Sequence, residues 1–272
     1  AEGDMLAALG IKYGSKKGND FSVEVHKTLG IEAYRASVYA AKDRGAFAIF
    51  DAEREKNNPF IQRLKEADDK LYYEMLEHGR RNIALLTIAP TGTTSLMTQT
   101  SSGIEPVFMP VYKRRRKVNP NDKNVRVDFV DELGDSWEEY VVFHHRFKQW
   151  MEVNGFEVSD DYDQKELDAM VKKSPYYKAT SNDVDWMSKV SMQGAVQKWV
   201  DHSISVTINL PNDATEELVG QLYLEAWEAG CKGVTVYRDG SRSGVLISNE
   251  EKKDEEQETL TTFPTKRPQV LE

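Results

Sequence analysis

An α/β fold with parallel strands is predicted by three observations. Residues 83–89, Ile83-Ala84-Leu85-Leu86-Thr87-Ile88-Ala89, form a short apolar run with no polar face, the pattern of a strand buried on both sides. Two further β-branched runs, 204–210 and 233–237, are joined by a helical pattern over 214–229 with short links. Strand, helix and strand in that order make a right-handed crossover and a parallel pair.

The elements follow in order. Residues 19–45 read as one long helix that Asn19 or Asp20 can cap, with Phe21, Val25, Leu29, Tyr34, Val38 and Ala41 at near-helical spacing. A shorter segment, 46–56, ends at Asn57-Asn58-Pro59, a stop signal. A third helix covers 68–78 and stops at Gly79. After the apolar run, 111–118 and 125–130 alternate and are expected to pair across the turn Asn119-Pro120-Asn121-Asp122. The charge run Lys113–Lys117 lies on the first of these strands and reads as a solvated hairpin face, with a phosphate contact as the alternative. Helices are expected at 136–153, 163–173 and 184–200. In the crossover helix, Leu218, Leu222, Tyr223 and Ala226 should face inward, and Gly230 should follow its C-terminus. From 248 to 258 the composition narrows to Asn, Glu, Lys, Asp and Gln, and 263–272 carries two prolines and no helix or strand signal. The expected organisation is one unit over 1–247 and an acidic linker and tail over 248–272.

Composition excludes several classes. With 272 residues and nine excess negative charges, the chain lacks the basic balance of a general nucleic-acid binder. One cysteine, Cys231, rules out an internal disulfide framework and a zinc ribbon. No apolar run is long enough to span a membrane. The first ten residues, AEGDMLAALG, carry neither a basic stretch nor a long apolar run and do not read as a signal peptide. Without a leading Met, the start is expected to lie inside a longer chain.

The strongest chemical signal is the turn after the apolar run. Strand, then Pro90-Thr91-Gly92-Thr93-Thr94-Ser95, then Leu96-Met97 is a strand-to-helix junction. Helix N-terminal amides carry partial positive charge, hydroxyls add donors, and Gly92 lets a ligand approach the backbone. These residues suit either a phosphate cradle without a P-loop lysine or simple helix capping by Thr and Ser. His26, His78, His144, His145 and His202 fall in no metal-ligand spacing. Cys231 reads as a buried structural thiol, since a nucleophile would need a base and an open pocket. Glu138-Glu139 and Asp160-Asp161 look like ordinary helix-end charges.

Four motifs in register carry a resemblance. They are Ala89-Pro90-Thr91-Gly92-Thr93-Thr94-Ser95-Leu96-Met97, Ser101-Ser102-Gly103-Ile104-Glu105-Pro106-Val107-Phe108, the run 200–211 beginning Val200-Asp201-His202-Ser203, and the run 231–242 containing Val236-Tyr237-Arg238-Asp239-Gly240. Over about residues 1–246 the chain resembles the large catalytic subunit of ribonucleotide reductase, closest to the adenosylcobalamin-dependent class II. The resemblance implies the C-terminal half of a ten-stranded α/β barrel, incomplete without a partner half. It implies conversion of ribonucleotides to deoxyribonucleotides by radical chemistry, with Pro90, Thr91, Gly92, Thr93, Thr94 and Ser95 binding the substrate phosphates. The family's finger-loop motif Asn-Pro-Cys-x-Glu and its reducing cysteines are absent from this sequence. The resemblance therefore implies an N-terminal half that supplies them, assigns no catalytic residue and no metal to this chain, and implies no activity of this chain alone. It also implies adenosylcobalamin in the complete enzyme, a thioredoxin-type reductant, a possible homodimer and a cytoplasmic setting, with no DNA or membrane partner. Where metal-radical enzymes carry two adjacent tyrosines, this chain has Tyr237-Arg238, which favours class II. Rival readings are a class I large subunit with a divergent relay and a non-catalytic nucleotide-binding barrel fragment.

Overall fold

The computed structural model describes residues 1–119, 125–131, 134–159 and 161–241. Most of the expected turn at 119–122, the boundary at 247, the linker 248–258 and the tail 263–272 lie outside the described residues. The elements are α1 (Glu2–Ala8), α2 (Lys16–Arg44), α3 (Ala52–Glu55), α4 (Pro59–Ala67), α5 (Asp69–His78), α6 (Gly92–Thr98), β1 (Val111–Lys117), β2 (Phe129–Val130), β3 (Ser136–Phe143), α7 (His145–Val153), α8 (Gln164–Lys173), α9 (Trp186–Gln197), β4 (Thr207–Leu210), α10 (Glu216–Glu228) and β5 (Thr235–Arg238).

Local chemistry sets the helix ends. The long helix α2 is capped by Ser15, whose Oγ accepts the Gly18 N–H at 3.0 Å, so it starts about one turn before the expected caps Asn19 or Asp20. It stops at Gly45, in the left-handed region at φ 77°. Asp68 caps α5, and Asp163 with Glu166 forms a capping box on α8. Helix α4, which the expected stop at Pro59 concealed, begins on that proline, with Asn58 as its cap. The expected segment 46–56 is helical only over α3.

Three cores organise the chain. The first joins Ile204, Val206, Ile208 and Leu210 to Val190 and Val196 of α9 and to Leu222 and Ala226 of α10. The second lies under the base of β1 and β3, around Phe147 and Met151 of α7 and Leu167 of α8. The third packs Tyr34 and Val38 of α2 against Ile61, Leu64, Leu71 and Met75. In α10, Leu222 and Ala226 face inward as expected, but Tyr223 is exposed on the outer face. Leu29 of α2 is exposed likewise.

The parallel pair is present. β4 and β5 run parallel, with Thr207 opposite Thr235 and Leu210 opposite Arg238. Alternation puts Ile208 and Leu210 on the helix-covered face and Thr207 and Asn209 on the other. The apolar run 83–89 is not a full strand. It meets its neighbour through a single parallel bridge, Ile88 to Ile204, and Ile83 is 60% exposed. Burial on both sides fails because the run has a neighbour on one side only among the described residues, and Pro90 ends it.

The expected hairpin is also rearranged. β3 lies between β1 and β2, so 111–118 does not pair with 125–130, and the helix expected over 136–153 is a strand until Phe143. The cause is cross-strand pairing. Arg116 and Arg115 sit opposite Glu138 and Glu139 and bind them at 2.7 Å, while Phe129 stacks on Trp137 with ring centroids 6.4 Å apart. The charge run is thus answered strand to strand by acids, as a solvated hairpin face requires.

Candidate functional site

The turn at 90–95 is delivered by the parallel segment before it. Leu85 and Leu86 donate their N–H groups to Asp201 Oδ2 and Oδ1 at 2.8 Å each, and the Tyr34 hydroxyl donates to Oδ2 at 2.8 Å. Burial, and after it the Asp201 charge, push the Tyr34 hydroxyl far up, so it stays a donor. His202 donates to Leu86 O, Ile88 donates to Ser203 O at 3.2 Å, and Ser205 donates to Ile88 O at 2.8 Å. This short ladder carries the chain to Pro90.

There the backbone turns sharply. Thr91 is left-handed, with φ 53° and ψ 27°, and is the N-cap of α6. Its side chain does not cap the helix. Instead Thr91 Oγ1 accepts the Gly103 N–H at 3.0 Å. The amides of Gly92, Thr93 and Thr94, the first three of the helix, have no acceptor within it. A Cβ on Gly92 would meet nothing within 4 Å, and Thr93 and Thr94 are exposed. Ser95 is buried: its hydroxyl donates to Gly92 O at 2.8 Å and pairs with Ser102 Oγ at 2.7 Å. At the other end of α6, an Arg146 guanidinium N–H donates to Thr98 O at 3.2 Å.

The structure therefore brings the six residues into one turn and divides them. Gly92, Thr93 and Thr94 present amides and hydroxyls outward. Pro90 directs the chain, while Thr91 and Ser95 spend their hydroxyls on the 101–103 segment. Simple capping by Thr91 or Ser95 is not what the turn does.

The 101–105 segment, which carries part of the resemblance, braces the turn. Ser101 N–H donates to Asp4 Oδ2 at 2.6 Å, and the Tyr176 hydroxyl donates to Asp4 Oδ1 at 2.9 Å, beside His144 Nε2 at 2.8 Å. Burial pushes the Asp4 carboxyl up, but these partners outweigh it and hold it below the usual carboxylate range. Pattern gave Asp4, Glu105, Lys189 and Asp201 no role, although Glu105 and Asp201 stand in the motifs that carry the resemblance, because each acts on a partner more than eighty residues away along the chain.

Cys231 packs half-buried beside the first core, and burial raises its thiol to about 11. Tyr237 and Arg238 lie on β5 and, as successive strand residues, point to opposite faces. Among the described residues no group of three or more His, Cys, Asp or Glu could hold a metal ion, and no helix is long and apolar enough to cross a membrane.

Known proteins match this arrangement. The family described as ribonucleotide reductase, barrel domain, matches residues 1–237. A vitamin B12-dependent ribonucleoside-diphosphate reductase of Mycobacterium tuberculosis is 31% identical over 90% of this chain and 31% of its own length. One of Thermoplasma acidophilum is 31% identical over 97% of this chain and 31% of its own length. The chain thus spans about a third of the length of these relatives. Among solved structures, the Actinobacillus ureae class Id ribonucleotide reductase alpha subunit shares the fold, with a TM-score of 0.56 and 16% identity over 88% of this chain and 38% of that one. With its parallel strands, its turn and nearly its whole length accounted for, the chain belongs to the ribonucleotide reductase barrel-domain family.

Proposed function

We propose that the 90–95 turn holds the phosphates of a ribonucleotide, within a complete protein that reduces ribonucleotides to deoxyribonucleotides by radical chemistry. The observation that carries this reading is the unclaimed first turn of α6: Thr91 gives its hydroxyl to Gly103 and leaves three amides open beside the free space at Gly92. Phosphate oxygens accept from such amides, the helix dipole adds attraction, and Thr93 and Thr94 hydroxyls supply further donors. Thr91 and Ser95 orient the turn.

The remaining chemistry falls to the rest of the protein. Loss of the 2′ hydroxyl as water takes two electrons, which a dithiol supplies as it closes to a disulfide. This sequence has one cysteine, and its thiol stays protonated near neutral pH. Adenosylcobalamin, the cofactor we assign from the relatives' vitamin B12 dependence and the lone tyrosine at Tyr237-Arg238, supplies the initiating radical when bound. A cavity of about 490 Å³, lined by Tyr34, Arg63, Lys198 and Lys232, lies at the opposite end of the strands from the turn. In this reading the surface that faces cobalamin comes partly from the N-terminal half, and no step of this chain's residues is routed through the cofactor. In the same reading the chain is the C-terminal half of a ten-stranded barrel, partnered by an N-terminal half with the finger-loop cysteine. A thioredoxin-type reductant, a homodimer of the complete protein and a cytoplasmic setting belong to it too.

Thr93→Pro in the full-length protein tests the turn. Proline is tolerated in a first helical turn but removes the N–H. Nucleotide affinity should fall about tenfold, or about 1.4 kcal/mol. A folded variant with unchanged affinity would place the phosphates elsewhere.

A further inference from the structure

Where Pro90 leaves the parallel ladder, a gap opens on the edge of β4. Ile88 bonds Ser203 O and Ser205 N, so a ladder continued in register would bring the N–H of residue 90 to Ser205 O and its C=O to the Thr207 N–H. That residue is a proline, which has no N–H and leads away into the turn. The N–H and C=O of Thr207 are taken instead by two side chains. Its N–H donates to Glu105 Oε1 at 2.7 Å, and its C=O accepts from Lys189 Nζ at 2.5 Å. Lys189 Nζ also donates to Glu105 Oε2 at 2.6 Å and is 3% exposed. The pair is a clasp: it takes the N–H and the C=O of one residue, both on the edge of β4 that faces away from β5, and is closed on itself.

The clasp holds the strip that braces the phosphate turn. Glu105 N–H donates to Ser102 O at 2.9 Å, Ser102 Oγ pairs with Ser95 Oγ, and Gly103 N–H holds Thr91 Oγ1. Gly103 sits at φ 47°, and a Cβ there would stand 3.3 Å from Ala89 O, so the strip lies against the chain entering the turn. The Tyr13 hydroxyl donates to Ile104 O between these contacts.

We propose that Glu105 and Lys189 are positioning residues for the phosphate turn: they replace the ladder partner lost at Pro90 and, through 101–105, fix Thr91 and Ser95. The proposal rests on the phosphate reading of that turn. A buried ion pair is weak grounds for stability but costly to break, because one partner is left charged and alone. Its use here is register: a turn displaced by an ångström presents its amides to the wrong oxygens.

The test uses the full-length reductase with Glu105→Gln, Lys189→Met and the double variant. Glu105→Gln keeps an acceptor for Thr207 N–H and removes the counter-charge. Each single variant should raise the nucleotide KM about tenfold with kcat nearly unchanged, and the double should be no worse than the worse single, since the residues act as a unit. Glu105→Asp, which keeps the charge and shortens the reach, carries the same expectation should the other variants fail to fold. A folded variant with wild-type KM, or one whose kcat and melting temperature fall while KM holds, overturns the proposal. Thr93→Pro run alongside separates the two readings. If Thr93→Pro raises KM and the clasp variants do not, the clasp fails alone; if Thr93→Pro has no effect, the turn reading fails.

Discussion

Thr91 is a β-branched residue in the left-handed region, a conformation that costs roughly 1–2 kcal/mol and persists only when its surroundings enforce it. The enforcing contact is the Gly103 N–H on its hydroxyl. Thr91→Val keeps the shape and deletes the acceptor. It should lower stability by about 1 kcal/mol and weaken nucleotide binding, measured by urea unfolding and by KM. Binding unchanged alongside the lost stability would mean the hydroxyl serves the fold alone. Cys231 makes the opposite case. With its thiol raised to about 11, labelling by a thiol reagent should be slow near neutral pH and quicken as pH rises toward that value. Rapid labelling at pH 7 in the folded protein would show an activated thiolate.

Asp4 acts between elements, tying α1 to the 101–103 strip, to His144 and to Tyr176. Its folded pKa lies below its usual value of about 3.9, so its contribution is complete above about pH 4 and is lost as pH falls through the depressed folded value. Asp4→Asn should flatten that part of the acid unfolding curve, and a curve that overlays the wild type would discount the network. Asp201 is the corresponding anchor at the start of the parallel ladder. Asp201→Asn turns an N–H donor toward groups that themselves donate and should cost about 1–3 kcal/mol in denaturant.

The same elements show what sequence could disclose. Caps and stops are local, so α5, α8 and α10 were legible to within two residues, and the β4–α10–β5 crossover followed from pattern alone. β3 was hidden because Glu138-Glu139 reads as helix-end charge until Arg115 and Arg116 are known to lie opposite. The turn at 90–95 was legible as a place, whereas the division of labour within it was not, since Gly103 and Ser102 decide which hydroxyls are free.

At the scale of the molecule, β5 pairs with β4 and with no other strand among the described residues, and the face bearing Thr207, Asn209, Thr235 and Tyr237 is opposite the helix-covered one. An edge and a face of that kind call for a neighbour. In the half-barrel reading, the isolated chain should bind an N-terminal half carrying the finger loop, with net charge −9 moderating self-association. Sedimentation of the chain alone and of the mixture checks this. A chain that stays monomeric, unfolds cooperatively and ignores that half would count against a split barrel.

The short helix α6 has a thermodynamic consequence of its own. It spans seven residues, is bounded by left-handed Thr91 and Gln99, and exposes Leu96 and Met97 at 79% and 81%. Little packing opposes its local opening, so its amides should exchange with solvent faster than those of α9 or α10. A ligand that binds only the formed turn draws that opening equilibrium shut by mass action. Occupancy of the site would then be read as a slowing of amide exchange confined to 92–98, without any change in the fold around it.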